Sequence, residues 1–271
     1  MGEEQVLAVT KLVNRLFGKP AAALLSLLHI APANPRYPIP NFLAMELVVF
    51  LFAIVFFLWL RRRMSVERPG ATQQCMEFVL SNPMGVGVKD LLDDIVGHGS
   101  GRHIAIIGSI TIFILMCNLV GLVPGFMSPT EVVTVPLGCA VVVFLYYNFH
   151  GIKHHGPAGY AGTLTGPVTW IAWLIAPIET ISHFARILSL TVRLWANMFV
   201  SELLYVSFLG LSMALFEFLA HLSPAGYAAA VLPIGIPLML IGLHIFVAIL
   251  QAFIFTILPI LYLGLAVAEE H

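Results

Sequence analysis

From Val168 to Leu222 the chain is apolar nearly throughout, and from Gly226 to Val267 it is apolar again. As one helix the first stretch, roughly 55 residues, would run about 80 Å, against a bilayer hydrocarbon core near 30 Å. Two upright helices would need a turn, yet between Pro177 and Gly210 there is no Gly, no Pro and no charged turn to make one. A single long, strongly tilted helix fits better. The second stretch carries Pro233, Pro237 and Pro259, and Ser223-Pro224-Ala225-Gly226 joins the two as a hairpin spanning 168–267. Composition agrees with a bilayer as the solvent. Hydrophobic residues make up 59% of the chain and charged ones 10%, where a soluble domain carries about 25% charged residues.

Three more runs are long enough to span: Ile39–Leu60, closed by Arg61, Arg62 and Arg63, then Ile104–Val123 and Val132–Ile152. The chain therefore reads as all-α and polytopic, with upright transmembrane helices followed by the tilted hairpin. One membrane domain, 39–271, follows an N-terminal surface segment, 1–38. The polar stretch 65–103, with its own short amphipathic segment Ala71–Leu80, reads as lying on the membrane surface. Arg61, Arg62, Arg63, Arg68, Lys89 and Arg102 fall between the first two spans and Lys153 follows the third, whereas Pro124–Glu131 holds no basic residue. The positive-inside rule then puts 65–103 in the cytoplasm and the N-terminus outside. Lys11, Arg15, Lys19 and Arg36 weigh the other way, so the orientation rests on the majority of the basic residues. Glu3 and Glu4 stand where a secretory signal needs positive charge.

The remaining inventory narrows the class. A net charge of −1 gives no footprint for nucleic acid. Cys75, Cys117 and Cys139 are far apart and read as reduced, apolar packing residues. His150, His154 and His155 sit beside Lys153 without a metal-ligand spacing, and no cofactor motif is present. Gly97-His98-Gly99-Ser100-Gly101 lacks the strand and helix that a phosphate loop needs.

Polar residues inside the apolar runs carry the functional signal. After Lys153 the only Lys or Arg residues are Arg186 and Arg193, both within the long helix. An arginine at bilayer depth costs about 2.5–3.5 kcal/mol on insertion scales. At 100° per residue, Glu179, Arg186 and Arg193 recur every seven positions and drift only about 20° per step. His183, Ser189 and Asn197 lie at i±4 from members of that row, and Ser182 is nearby, so one polar stripe runs along the helix. Glu202, nine residues past Arg193, points to the opposite face. In the last helix His244 and Gln251 share a face with Ala248 and Ala252, whose small side chains let a neighbour approach. His244 is placed to meet Glu202 across the hairpin. Plainer readings stand beside these: a structural pair for Glu202 and His244, snorkelling for Arg186, and helix–helix contact for Gln251.

At these residues the chain resembles a known family. Leu190-Thr-Val-Arg193-Leu-Trp-Ala-Asn197-Met is similar to the signature helix of subunit a of the F-type ATP synthases, with Arg193 at its arginine. Ile178-Glu179-Thr-Ile-Ser182, Leu250-Gln251-Ala-Phe-Ile-Phe255 and Asn118-Leu-Val-Gly-Leu-Val-Pro124 resemble that family too, in the same order and spacing over roughly Ile104–His271. The resemblance implies a non-catalytic stator subunit in a bacterial inner membrane, its tilted hairpin wrapped against a rotor ring of c subunits. It implies two half-channels leading protons to and from the ring carboxylates, with the b-subunit stalk, the rest of the synthase and the lipid bilayer as partners. Nucleotide chemistry would belong to other subunits. Carried over, Arg193 faces the ring carboxylate. Glu202 and His244 form the periplasmic pair, with Asn197, Gln251 and Asn118 nearby, and Glu179, Ser182 and Ser189 serve the cytoplasmic side. Gly121 stands where many relatives have an acid, and Trp195-Ala196 replaces the commoner Phe-Gly.

Two rivals use the same residues differently. A secondary transporter would show inverted repeats and broken half-helices. An intramembrane hydrolase would need a nucleophile or metal motif such as GxSxG or HExxH. The chain shows none of these.

Overall fold

The computed structural model describes residues 7–27, 29, 34, 36–65, 69–81, 87–97, 99–123, 126–163, 172–222 and 232–267. Among them the regular structure is helical. In chain order come α1 (Ala8–Leu27), α2 (Asn41–Arg63), α3 (Ala71–Leu80), α4 (Val88–Ile95) and α5 (Gly101–Val120). A 3-10 turn at Pro129–Glu131 precedes α6 (Thr134–Thr163), α7 (Ala172–Leu222) and α8 (Leu232–Val267). Five of these helices, α2 and α5 to α8, are long and apolar enough to cross a membrane.

The boundaries follow local chemistry. Helix α2 begins after Pro40 because a residue before proline is pushed out of the helical region, which excludes Ile39. It ends on Arg61, Arg62 and Arg63, where cations suit the carbonyl end and can reach headgroups. Asp90 occupies the first turn of α4, the favourable end for an acid. Helix α3 covers the amphipathic segment expected at Ala71–Leu80. The third span, expected to stop at Ile152, instead stays helical to Thr163. It breaks its axis at Gly156, whose φ of 73° only glycine adopts cheaply, just before Pro157.

Helix α7 is unbroken for 51 residues, about 75 Å at 1.5 Å per residue. Its Pro177 falls near the start. The stretch without breakers thus forms one helix, as expected. The start of that run at Val168 and the joining segment Ser223–Gly226 lie outside the described residues, as do Pro124 and His98.

The chain divides into two compact units, to which α2, α5, α7 and α8 each contribute a part. One unit holds 1–51, 115–132 and 195–250. In it Asn14 ties α1 to the start of α2, donating to the Thr10 and Ile39 carbonyls at 2.9 Å and accepting the Ile39 N–H at 2.9 Å. Val13, Ile39 and Ala44 bury together there. The other unit holds 52–114, 133–194 and 251–271. In it the buried hydroxyls of Thr111 on α5 and Thr256 on α8 meet at 2.7 Å. Side-chain pairs of this kind satisfy polar groups that would be costly to bury alone.

Candidate functional site

In the first unit a buried polar network gathers where α5 ends. Asn118 is wholly buried. Its amide donates to the Ala248 carbonyl at 3.3 Å, and its side-chain oxygen accepts from the Thr130 hydroxyl at 2.7 Å. Ser128, also wholly buried, puts its hydroxyl 2.9 Å from the Cys117 carbonyl and 2.8 Å from that of Thr130. His244 on α8 is 3% exposed. Its Nε2 lies 3.3 Å from the Asn118 carbonyl and its Nδ1 lies 2.7 Å from the Ser201 hydroxyl. A neutral imidazole donating from Nε2 and accepting at Nδ1 satisfies both contacts.

Glu202 is half-buried beside this network and within electrostatic reach of His244. The hydrogen bond to His244 from α7 is made by the neighbouring Ser201. Glu131 closes the loop: its Oε1 accepts the Ser128 N–H at 3.3 Å. Burial pushes its carboxyl up to about 7, helped by the nearby charge of Glu202 and opposed by that hydrogen bond. Gly121 is packed against this loop. A β-carbon there would stand 3.0 Å from that of Ser128 and 3.3 Å from its backbone nitrogen.

Four members of the network, Ser128, Thr130, Glu131 and Ser201, do not stand out in the sequence as functional residues. One signal for them is present there. Ser128-x-x-Glu131 has the spacing by which an acid reaches back to the N–H of a capping serine.

In the second unit the polar residues of α7 separate onto two faces. His183 is buried, with Nε2 2.8 Å from the Asn148 side-chain oxygen and 3.4 Å from the Tyr147 hydroxyl. Tyr160 donates to the same Asn148 oxygen at 3.0 Å. Arg186 pairs with Glu179 at 3.3 Å, and its guanidinium lies 5.1 Å from the centroid of the Tyr262 ring. Ser182, Ser189 and Arg193 are exposed, and so is Asn197, which belongs to the first unit. Gln251 is buried, 5% exposed. The stripe expected from sequence therefore loses His183 to the inner face.

Arg193 stands apart. It sits near the middle of α7, exposed, and the Ser189 hydroxyl is 3.4 Å from its Nη2. Among the described residues no carboxylate pairs with it; the ion pair there is that of Arg186 with Glu179. One face of α7 packs inward here, with Leu190, Leu194 and Met198 buried, while the face that carries Arg193 and Asn197 is exposed. The arrangement leaves a permanent cation on the exposed face of an apolar helix that also contributes acids to a polar cluster in each unit.

Comparison with known proteins finds a family and several relatives. A family model described as "ATP synthase A chain" matches residues 42–264. A protein of Koribacter versatilis named ATP synthase subunit a is 38% identical over 262 residues, covering 97% of each chain. One of the same name from Solibacter usitatus is 39% identical over 249 residues, covering 92% of this chain and 95% of its own. Another, from Desulfosudis oleivorans, is 38% identical over 203 residues, covering 75% and 78%.

Proposed function

Because the chain belongs to the ATP synthase A chain family, we propose that it is the proton-translocating stator subunit of a rotary synthase, with Arg193 facing the carboxylates of a c-subunit ring. The observation that carries this is the exposed, unpaired guanidinium in the middle of α7. A cation at that depth is costly unless an acceptor from outside the chain meets it. A ring carboxylate is such an acceptor. Facing lipid it must be neutral, because an ion there is too expensive. Facing Arg193 it ionises, because an opposite charge within a few ångströms lowers a carboxyl pKa. Passage across Arg193 therefore couples release of one proton to uptake of the next. A guanidinium stays charged at any working pH, which suits a standing barrier to proton short-circuit. The driving energy is about 2.3 kcal/mol per proton per 100 mV.

The two polar clusters supply the approaches. Asn118, Glu202 and His244, with Asn197 and Gln251, serve the periplasmic half-channel; Glu179, Ser182 and Ser189 serve the cytoplasmic one. The exposed face of α7 is the surface the ring covers, and the b-subunit stalk holds the stator. The charge bias of the loops puts the N-terminus outside, in a bacterial inner membrane. Nucleotide chemistry is left to other subunits.

The test is proton pumping by inverted vesicles on ATP addition, with assembly checked by copurification of the ring and the soluble head. Arg193→Ala should assemble, lose pumping and coupled synthesis, and keep or increase passive proton leak. Near-normal pumping by assembled Arg193→Ala enzyme would overturn the reading.

A further inference from the structure

The proton-path reading gives Glu131 of the first unit no role. Glu131 lies outside the spanning helices, on the turn between α5 and α6, and is half-buried. Its neighbourhood is unusual for a carboxylate that only caps a turn. Glu202 on α7 acts on it as a like charge. Behind it lie the buried Ser128, Thr130 and Asn118, and through the Asn118 carbonyl the network continues to His244 on α8. Of the elements around it, α7 contributes Glu202, α8 contributes His244, and the end of α5 contributes the neutral Cys117 and Asn118.

We propose that Glu131 is the outer member of a coupled carboxylate pair with Glu202, taking protons from the aqueous side and passing them inward to Glu202. The inference rests on the proton-path reading and adds a residue to it. Two acids held near each other in a partly buried setting resist being ionised together, so they tend to share one proton. In each cycle a proton from the aqueous phase forms an O–H bond at the Glu131 carboxylate. That bond breaks as the proton moves to the Glu202 carboxylate, and Glu131 is ionised again; no electrons change hands. The titration of Glu131 near 7 suits loading and unloading around neutrality. The geometry also explains why the acid sits here. At Gly121 a side chain would crowd Ser128, and position 131 brings a carboxylate to the same loop without that crowding.

The experiment uses the whole synthase in liposomes at fixed membrane potential, reading the initial rate of ATP synthesis as the intake-side pH is stepped across neutrality. Wild-type rate should fall as that pH rises through about 7. Glu131→Gln keeps an acceptor for the Ser128 N–H but cannot titrate. It should run roughly ten-fold slower at neutral pH, a modest share of what a positioned acid–base group supplies, with its fall moved to lower pH. Glu131→Asp, which still titrates, should recover part of the rate. Should the amide fail to assemble, Glu131→Ala is read in its place, and an unmoved profile counts against the proposal. Wild-type rate and profile in Glu131→Gln would overturn it, and so would a slower rate with an unmoved profile. Arg193→Ala in the same preparation separates the two claims. If that variant fails while Glu131→Gln is normal, only the role of Glu131 is lost. If Arg193→Ala synthesises normally, the proton-path reading falls with it.

Discussion

Arg186 and Arg193 stand seven residues apart on one helix, yet their surroundings differ in kind. Arg186 has a counter-ion in Glu179 and an aromatic face in Tyr262. Arg193 has a serine hydroxyl. Helical periodicity treats the two alike, since seven residues bring a side chain back to nearly the same face. What separates them is tertiary: α8 brings a ring to Arg186, and Glu179 lies within its reach. A charge completed inside the chain can be structural. A charge left open on the exposed face of an apolar helix asks for something outside it. That difference, more than depth or spacing, is why we propose Arg193 rather than Arg186 as the working residue.

The sharpest way to break the comparison is to make the same change at both positions. Arg193→Lys should lower coupled synthesis roughly 100-fold or more, the ~3 kcal/mol scale of a charge-assisted contact. Lysine lacks the planar fork and can lose its proton when desolvated. Arg186→Lys should keep most coupling, because Glu179 and Tyr262 accept an ammonium as well. Synthesis rates of the two assembled variants decide it; equal losses would erase the distinction.

A second change would make Arg193 resemble Arg186. Ser189→Glu places a carboxylate four residues before the arginine, the favourable order for a helical ion pair. The side chain at 189 is exposed and already 3.4 Å from the guanidinium, so folding should tolerate it. The new acid would compete with the ring carboxylate, and pumping should fall roughly five-fold, the scale of a pair that contributes about 1 kcal/mol. Ser189→Gln, with similar bulk and no charge, should do much less. Pumping that ignores the glutamate would mean Arg193 needs no free charge.

Legibility in the sequence follows the range of the interaction concerned. The length of α7 is readable because it depends on missing breakers, a local property. That Arg186 and Arg193 each need a partner is readable because the cost of a charge in lipid needs no neighbour to be evaluated. The inward turn of His183 is not, since the pattern gives a stripe but not which of its flanks meets Asn148 on α6. Ser201 rather than Glu202 bonds His244 for the same reason: consecutive residues differ by 100° around the helix, and sequence does not fix the helix's rotation against α8. Ser128 and Thr130 look like ordinary loop residues. Their burial depends on the chain folding back over the end of α5 beside Gly121.

The smallest expected effect comes from removing the paired arginine. Arg186→Ala takes away the ion pair with Glu179 and the contact with Tyr262. The pair is only partly buried, with the two side chains 21% and 39% exposed, so solvent already screens it. Exposed ion pairs contribute about 0–1 kcal/mol, and a cation over an aromatic face adds about 0.5–1 kcal/mol at exposed sites. The loss should appear as a slightly lower temperature for dissociation of the purified complex. On the proton-path reading Glu179 lines the cytoplasmic half-channel, which hydrates it, so no stranded charge adds to the cost. ATP-driven acidification should stay within a few-fold of wild type, since Arg193 still faces the ring. If acidification instead vanishes in an assembled Arg186→Ala complex, as expected for Arg193→Ala, internal pairing does not mark an arginine as structural. The contrast between the two positions would then have to be drawn from their distance along α7 alone.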